Sequence, residues 1–299
     1  MILTFPDGKQ IRGDLIRSAV LRSDLSPVPL TLEAEIRAGD DGMDKLLSEN
    51  QTITVQGSDA MRIVKSVRVA GRAAQGERNL EAYRITALLD ACQSAAYARS
   101  RAIIKENATL SAIYRAAGAT LKGIDADFPV PRFYCMVGDT PTFHIARALQ
   151  EEGGAVRWKG GKLQFMRLAD MFKQTPAVTL PDNADENVES GFLERHTVPS
   201  FFSLDAAAAP VMGNFDKARA VRFSPFKNAQ RLRNMTRALI QRKVSRIGFS
   251  GQIAAGDLIA YAGGDKLAVI TAAHVFESGS DSGGAQNAYT RLWVGSLEE

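Results

Sequence analysis

Three histidines and two cysteines are the side chains of this 299-residue chain best suited to nucleophilic or metal chemistry. A Ser-His-Asp or Cys-His arrangement must draw on His144, His196 or His274. His144 follows Cys135 by nine residues, so a thiol–imidazole pair is the nucleophilic arrangement the spacing suggests. Against it, Cys135 sits in the apolar run Phe133-Tyr134-Cys135-Met136-Val137, whereas a reactive thiolate needs partial exposure and positive surroundings. His144 therefore reads as a structural histidine. His274 falls in a predicted strand and His196 in Leu193-Glu194-Arg195-His196-Thr197. Neither stands beside a second histidine or a cysteine at metal spacing, and HExxH and CxxC are absent.

Other chemistry is equally thin. Glu151-Glu152, Glu186 to Glu189 and Glu298-Glu299 supply carboxylates, but a glycosidase needs two of them flanking one bond, and these read as solvated helix ends and loops. The segment Gly153 to Lys162 superficially resembles a phosphate loop. A phosphate loop has Ser or Thr after its Gly-Lys; here Leu163 follows Gly161-Lys162. Arg231, Arg233, Arg237, Arg242, Lys243 and Arg246 form a basic segment that could face phosphate. It equally suits the polar face of strands or a salt-bridged contact between subunits. The sequence assigns no catalytic, cofactor-binding or metal-ligating residue, and the chain reads as a non-enzyme.

The elements that would carry these residues divide into four stretches. Residues 1–92 alternate apolar and polar around Leu3 and Phe5, Leu15 to Leu21, Leu30 to Ile36, Ile53 to Val55, Met61 to Val69 and Tyr83 to Leu88. Short strands parted by turn residues suggest a small barrel or sandwich. Residues 93–170 change character. Gln93 to Lys105 is rich in helix-compatible Ala and Arg, and Thr109 to Ala117 reads as a second helix capped by Asn107 or Thr109 and stopped by Gly118. Thr140-Pro141-Thr142 opens a third helix with Pro at its first position, and Phe143, Ile145, Ala146 and Leu149 give its apolar stripe. Val156 to Lys159, Gly160-Gly161 and Lys162 to Phe165 then read as a hairpin. Residues 171–217 are a connecting segment with a strand or two around Phe192 to Val198. Residues 218–299 return to strand character, with a turn at Ala254-Ala255-Gly256-Asp257 and a Gly/Ser-rich loop at 278–284.

The two strand-rich regions are alike. A shift of 206 positions lays Ile53 on Ile259, Gly57 on Gly263, Asp59 on Asp265, Val69 on Val275, Ala82 on Ala288 and Tyr83 on Tyr289. Gly-x-Asp marks a tight turn, an apolar strand follows, and Tyr opens the last strand after a loop of equal length in both copies. The expected fold class is mainly β with an α+β insert: two similar small β-barrels, 1–92 and 218–299, flanking a helix-plus-hairpin domain.

Composition bounds the rest. Hydrophobic residues make up 45% and charged residues 23%, enough for real cores, and a net charge of +4 is a mild bias over this length. Cys92 and Cys135 read as buried reduced thiols of a protein made in a reducing cytoplasm. The N-terminal Met1 to Asp14 lacks a signal-peptide pattern, and no run is long enough to span a membrane.

The segment TPTFHIARALQEEGGAVRWKGGKLQF resembles a stretch of the tail-hub proteins of contractile-tailed phages and of the N-terminal part of the trimeric valine-glycine-repeat spike proteins of type VI secretion. Phe143, Ile145, Arg147, Leu149, Glu151 or Glu152, and Gly153 stand for the helix pattern of that family, with one residue inserted between Phe143 and Ile145. The first barrel is also similar, from Leu25-Ser26-Pro27-Val28-Pro29 to Tyr83-Arg84-Ile85-Thr86. The resemblance covers most of the chain in its order of parts. It implies a virion structural protein of the tail tip or baseplate, made in the host cytoplasm. It also implies a homotrimer whose six barrels form a pseudo-sixfold ring between the tail tube and a central spike. The expected partners are tail tube or tube-initiator proteins, a separate spike polypeptide, other baseplate proteins and, non-specifically, DNA in transit. Two other readings stand beside it. One is a tail protein that binds or cleaves cell wall, since the helix and hairpin loosely resemble small peptidoglycan-binding modules. The other is a tube or baseplate adaptor.

Overall fold

Leu30, Leu32, Ala34 and Ile36 are buried while Glu33 between them is exposed, the period-two pattern of a strand with one face on a core. That pattern organises most of the chain. The computed structural model describes residues 1–38, 42–56, 59–69, 81–181, 185–187, 198–217, 219–279 and 286–298. His196 and most of the Gly/Ser-rich loop lie outside them.

The first stretch holds β1 (Leu3–Thr4), β2 (Ile16–Asp24), β3 (Leu30–Arg37), the short α1 (Met43–Leu46), β4 (Thr52–Val55), β5 (Asp59–Val69) and β6 (Ala82–Leu89). Next come β7 (Ile103–Thr109), α2 (Leu110–Ala116), β8 (Ile124–Asp125), β9 (Pro129–Cys135), α3 (Pro141–Glu151), β10 (Gly154–Lys159), β11 (Lys162–Arg167) and α4 (Leu168–Met171). The third stretch carries β12 (Val178–Leu180), β13 (Asp185–Asn187), β14 (Ser200–Leu204), β15 (Pro210–Met212), β16 (Val221–Phe223) and α5 (Ala229–Asn234). The last holds β17 (Ala238–Gly248), β18 (Leu258–Tyr261), β19 (Lys266–Glu277) and β20 (Asn287–Glu298).

The fold is mainly β with few helices. The two strand-rich regions, expected as separate barrels, share one 12-stranded sheet in the order β1-β4-β5-β6-β3-β2-β19-β20-β17-β13, with β18 beside β19 and β12 beside β18. The seam between halves is antiparallel, from Thr271 opposite Asp24 to Glu277 opposite Ser18. Thr271 Oγ1 donates to Asp24 Oδ1 across it at 2.6 Å. Two strands of the connecting segment, β12 and β13, pair with strands of the second half, while β14 and β15 form a separate sheet with β16.

The internal duplication is visible in backbone pairing. Ile53 opposite Met61 in β4–β5 becomes Ile259 opposite Leu267 in β18–β19, in the same register. The β5–β6 ladder skips Val64, and β19–β20 skips its counterpart Ile270. Each last strand also pairs on its far side with an antiparallel neighbour, β3 in one half and β17 in the other. One expectation is corrected. Ile63 faces Ala87 and, after the bulge, Lys65 faces Thr86; Val269 faces Val294 and Thr271 faces Trp293. The last strands therefore correspond by 207 positions, so the second loop is one residue longer. Burial agrees: Ile85 and Ala87 match Leu292 and Val294, all buried. A slip of one residue exchanges the two faces of a strand, so the Tyr83–Tyr289 and Ala82–Ala288 identities are not structural equivalents.

Two further expectations change. Gln93 to Lys105 is not a helix: a 3-10 turn spans Gln93–Ala96, Tyr97 is extended, and Ile103–Thr109 pairs with β9. Ile103 and Ile104 are β-branched and find strand partners, which outweighs the helix propensity of the Ala and Arg residues before them. The α3 stripe is Pro141, Ile145, Ala148 and Leu149; Phe143 and Ala146 face outward. As predicted, α2 is capped by Thr109, whose side chain accepts from the Ala112 N–H, and ends at Gly118 with φ +87°. The hairpin β10–β11 turns on Gly160 and Gly161, both at positive φ, as a tight two-residue turn requires. The strand expected over Phe192 to Val198 falls almost wholly outside the described residues; the neighbouring strand is β14.

Candidate assembly site

Alternation along β10 puts Arg157 and Lys159 on one face of the hairpin and Val156 and Trp158 on the other. The two faces reach different halves of the sheet. Arg157 Nη1 lies 3.0 Å from Asp257 Oδ1, and Lys159 Nζ lies 2.5 Å from the same oxygen. Asp257 is 3% exposed and Arg157 6%. The carboxylate also accepts from the Ala254 N–H, so the Ala254 to Asp257 turn is held by its own last residue. Gln174 donates to the Gly256 carbonyl at 2.7 Å and accepts from Arg157. On the opposite face Trp158 Nε1 donates to Asp59 Oδ1 at 2.8 Å, at the start of β5.

A third anchor is Tyr114 of α2. Its ring is fully buried and its hydroxyl donates to the Pro27 carbonyl in the β2–β3 turn at 2.8 Å. Burial holds that phenol protonated. The apolar cluster around it runs without a break from the first sheet into the insert, through Leu32, Ile63, Ile113, Ile145, Leu149 and Phe165. The helix and hairpin are thus clamped to both halves.

Cys135, His144 and Cys92 find their surroundings within the fold. The Cys135 thiol faces the carbonyls of Asp139 and Met136, and burial raises its pKa. His144 Nε2 lies 3.1 Å from Asp139 Oδ2, and no hydrogen bond joins it to Cys135 among the described residues. Cys92 is fully buried, with its thiol pushed up to about 12. Both thiols are therefore protonated at neutral pH.

Glu151 and Glu152 correct the expectation of a solvated helix end. Glu151 is buried and lies 2.6 Å from Lys227 and 3.5 Å from Arg231. Glu152 lies 2.6 Å from Arg231. These pairs, with Gln150 donating to the Met235 carbonyl, fasten α3 to α5. The basic segment is likewise engaged. Lys243 lies over the Tyr261 ring at 4.2 Å, Arg246 over Tyr289 at 3.8 Å, and Arg242 donates to Ser296 Oγ. Among the described residues no group of three or more His, Cys, Asp or Glu side chains could hold a metal ion, and no helix is long and apolar enough to cross a membrane.

His274 is buried between β2 and β20, with Nδ1 3.1 Å from Thr290 Oγ1. Burial lowers its pKa from the ordinary 6.5. The unfolded chain therefore takes up the proton first as pH falls. Stability is full above 6.5 and is lost as pH drops toward the lower folded value. The carboxylates with resolved shifts, Asp14 and Glu35, move down from 3.8 and 4.5 and act in a more acidic window. The urea midpoint should fall between about pH 7.5 and pH 5, and His274→Gln should flatten that fall. An unchanged slope in the variant would remove His274 as its cause.

Two exposed features stand out among the described residues. One is an open groove of about 570 Å³ lined by Arg132, Phe133, Tyr134, His144, Glu151 and Phe226, with Met136 and Val137 just past β9 and Phe143 on α3 exposed beside it. The other is strand edge. Along β5, Lys65 to Val69 pairs with β6 on one side and with no strand on the other among the described residues. Unpaired edges of this kind are ready templates for another chain.

Searches of protein-family models and of curated proteins find no match for this sequence. Solved structures do match. The tail protein from Neisseria meningitidis superposes with a TM-score of 0.65 at 10% identity, over 99% of this chain and 95% of that one. The 43 kDa tail protein of a Shewanella oneidensis prophage gives 0.62 at 13%, over 98% and 97%. An Escherichia coli type VI secretion component, described as structurally similar to the T4 tail proteins gp27 and gp5, gives 0.56 at 9%, over 95% and 74%. The chain therefore has the fold shared by phage tail proteins and a type VI secretion component. The resemblance carried by Phe143 to Gly153 is borne out at that level.

Proposed function

We propose that this chain is a structural subunit of the tail or baseplate hub of a phage or related injection machine. In this reading it is a homotrimer whose six half-sheets form a pseudo-sixfold ring joining the tail tube to a central spike. The observation that carries it is the duplicated strand order, with the two halves joined edge to edge through β2 and β19. Two like units per chain let a threefold assembly present six like surfaces to a sixfold tube. The fold shared with tail proteins over nearly the whole chain supports the same reading. The insert, clamped through Asp257, Asp59 and Pro27, keeps the two units in fixed relation. The partners are then the tail tube or its initiator on one side, and a separate spike polypeptide and other baseplate proteins on the other. Contact with DNA in transit is non-specific, and the role is mechanical, without turnover.

Light scattering after size exclusion tests it, with negative-stain class averages of the same peak. The expected mass is three times 32.4 kDa, in rings of threefold or pseudo-sixfold outline. A monomer that persists at high concentration and with tail-tip partners added would sink the ring. Clear release of sugars or loss of turbidity with purified cell wall would favour the wall-cleaving alternative.

A further inference from the structure

The two-stranded sheet of the insert leaves one edge open inside a groove. β9 pairs with β7 on one side, and among the described residues no strand pairs with its other side. Successive residues of an antiparallel strand turn their backbone polar groups toward the partner and away from it in alternation. Proline cannot donate to a ladder, so Pro129 and Pro131 mark the residues that face away from β7. Phe133 is in the same phase, which sends its N–H and carbonyl outward.

The groove follows that edge. It borders Pro131, Arg132, Phe133 and Tyr134 in unbroken succession, although alternate side chains leave a strand on opposite faces. Only the edge of a strand meets such a run, and no residue of β7 joins it. Residues of α3 and the Pro225 to Lys227 turn supply most of the remaining lining.

Charge and shape say what fits there. Glu151 is the one carboxylate of the lining among the described residues, and it already holds Lys227 at 2.6 Å and Arg231 at 3.5 Å. Arg132 lies 5.1 Å over the Phe226 ring and has no ion pair among the described residues. Arg147 is half exposed and lies 3.8 Å from Glu151, too far for a strong pair. Two guanidinium groups, one on β9 and one on α3, are thus left for carboxylates from outside. Phe226 is 77% exposed and held at φ +62°, a conformation bulky side chains rarely adopt and one that clusters at ligand clamps. Tyr134 and Met136 add exposed apolar surface to the same lining. A nucleic acid would meet the cations and rings but has no amide to complete the edge. A second copy of this chain carries a net charge of +4, the same sign as the groove.

We propose that this groove docks an extended, acidic peptide segment of another protein, which adds as a strand to the outer edge of β9. The peptide backbone pairs with the Phe133 N–H and carbonyl. Its apolar side chains pack on Phe226 and Tyr134, and its carboxylates reach Arg132 and Arg147. In strand addition the main chain supplies affinity and alternate side chains supply specificity. The site goes beyond the ring reading above and does not depend on it.

The probe is a fluorescein-labelled peptide of about nine residues, long enough to span the edge, that alternates glutamate with valine or phenylalanine. Its anisotropy is followed as the full chain is added. Replacing its glutamates by lysine should weaken binding by about tenfold or more, as should Arg132→Glu with Arg147→Glu in the protein. Methylating alternate backbone nitrogens of the peptide should abolish binding in one phase and leave it in the other, a signature that charge attraction alone does not give. The peptide series acts on the unaltered protein, so it decides the matter whatever the double variant does to folding. No saturable binding up to about 1 mM, or equal binding of both methylated phases, would overturn the strand addition. Tighter binding of labelled oligothymidylate would make the groove a nucleic-acid site. Self-association of the chain that is lost in the double variant would make a second copy its occupant. Either result would overturn the proposal.

Discussion

Replacing Asp257 by alanine should lower the stability of the folded chain by about 3–5 kcal/mol. The carboxylate is nearly inaccessible and holds two cations, of which Arg157 is itself buried. Its removal leaves the guanidinium charged, out of water and short of its anion. The loss is dominated by that orphaned charge rather than by the pair's own attraction. A double variant, Asp257→Leu with Arg157→Met, should therefore recover much of the loss. Urea unfolding of the three proteins measures it. Equal destabilisation of single and double variants would show that the packing of the turn, not the charge, is what Asp257 supplies. The single variant should also loosen the hairpin from the second half, read as faster amide exchange in β10 and β11.

Tyr114→Ala should cost a similar amount, about 3–5 kcal/mol, for a different reason. The ring fills the junction between α2 and the first sheet and has no exposed surface. Its loss opens a cavity that Ile113, Leu110 and their neighbours fill only partly, being held by helix and strand backbones. Tyr114→Phe separates the ring from the hydroxyl. It keeps the volume but leaves the Pro27 carbonyl without its donor, a loss of about 1–3 kcal/mol. If Phe proved as harmful as Ala, the hydrogen bond and not the packing would be the anchor.

Local pattern decided what the sequence made legible. Strands β3 and β4 alternate cleanly, Thr109 and Gly118 bracket α2, and Gly160-Gly161 suits a two-residue turn, so each is readable from neighbours in the chain. The duplication was readable as well, because β4 and β5 keep their spacing in β18 and β19. What failed depended on partners far away. Ile103 and Ile104 take strand geometry because β9 lies beside them, and nothing within Gln93 to Lys105 says so. The last strands of the repeat were set one residue out of step because Tyr83 and Tyr289 are the same residue type, while backbone pairing is blind to side-chain identity. The carboxylate of Asp257 meets Arg157 across 100 residues. Glu151 meets Lys227 only once α5 has packed on α3. No spacing rule reaches that far. The one available hint was two cations, Arg157 and Lys159, sharing a face of a hairpin otherwise apolar at Val156 and Trp158.

The seam has a consequence for the order in which the molecule is made. Thr271 and Asp24, bonded across it, are 247 residues apart. At a synthesis rate of about 5–20 residues per second, β2 waits roughly 12 to 50 seconds for the strand that will cover it. During that time its edge is as open to a sister nascent chain as to its own missing partner. The strand carries Arg17 and Arg22, paired to Glu35 and Glu33 on β3, and such charges discourage edge-to-edge association. Chains translated close together on one message therefore face a kinetic choice between correct closure and premature mispairing. Slowing translation after residue 89 should raise the yield of aggregate rather than of assembled protein.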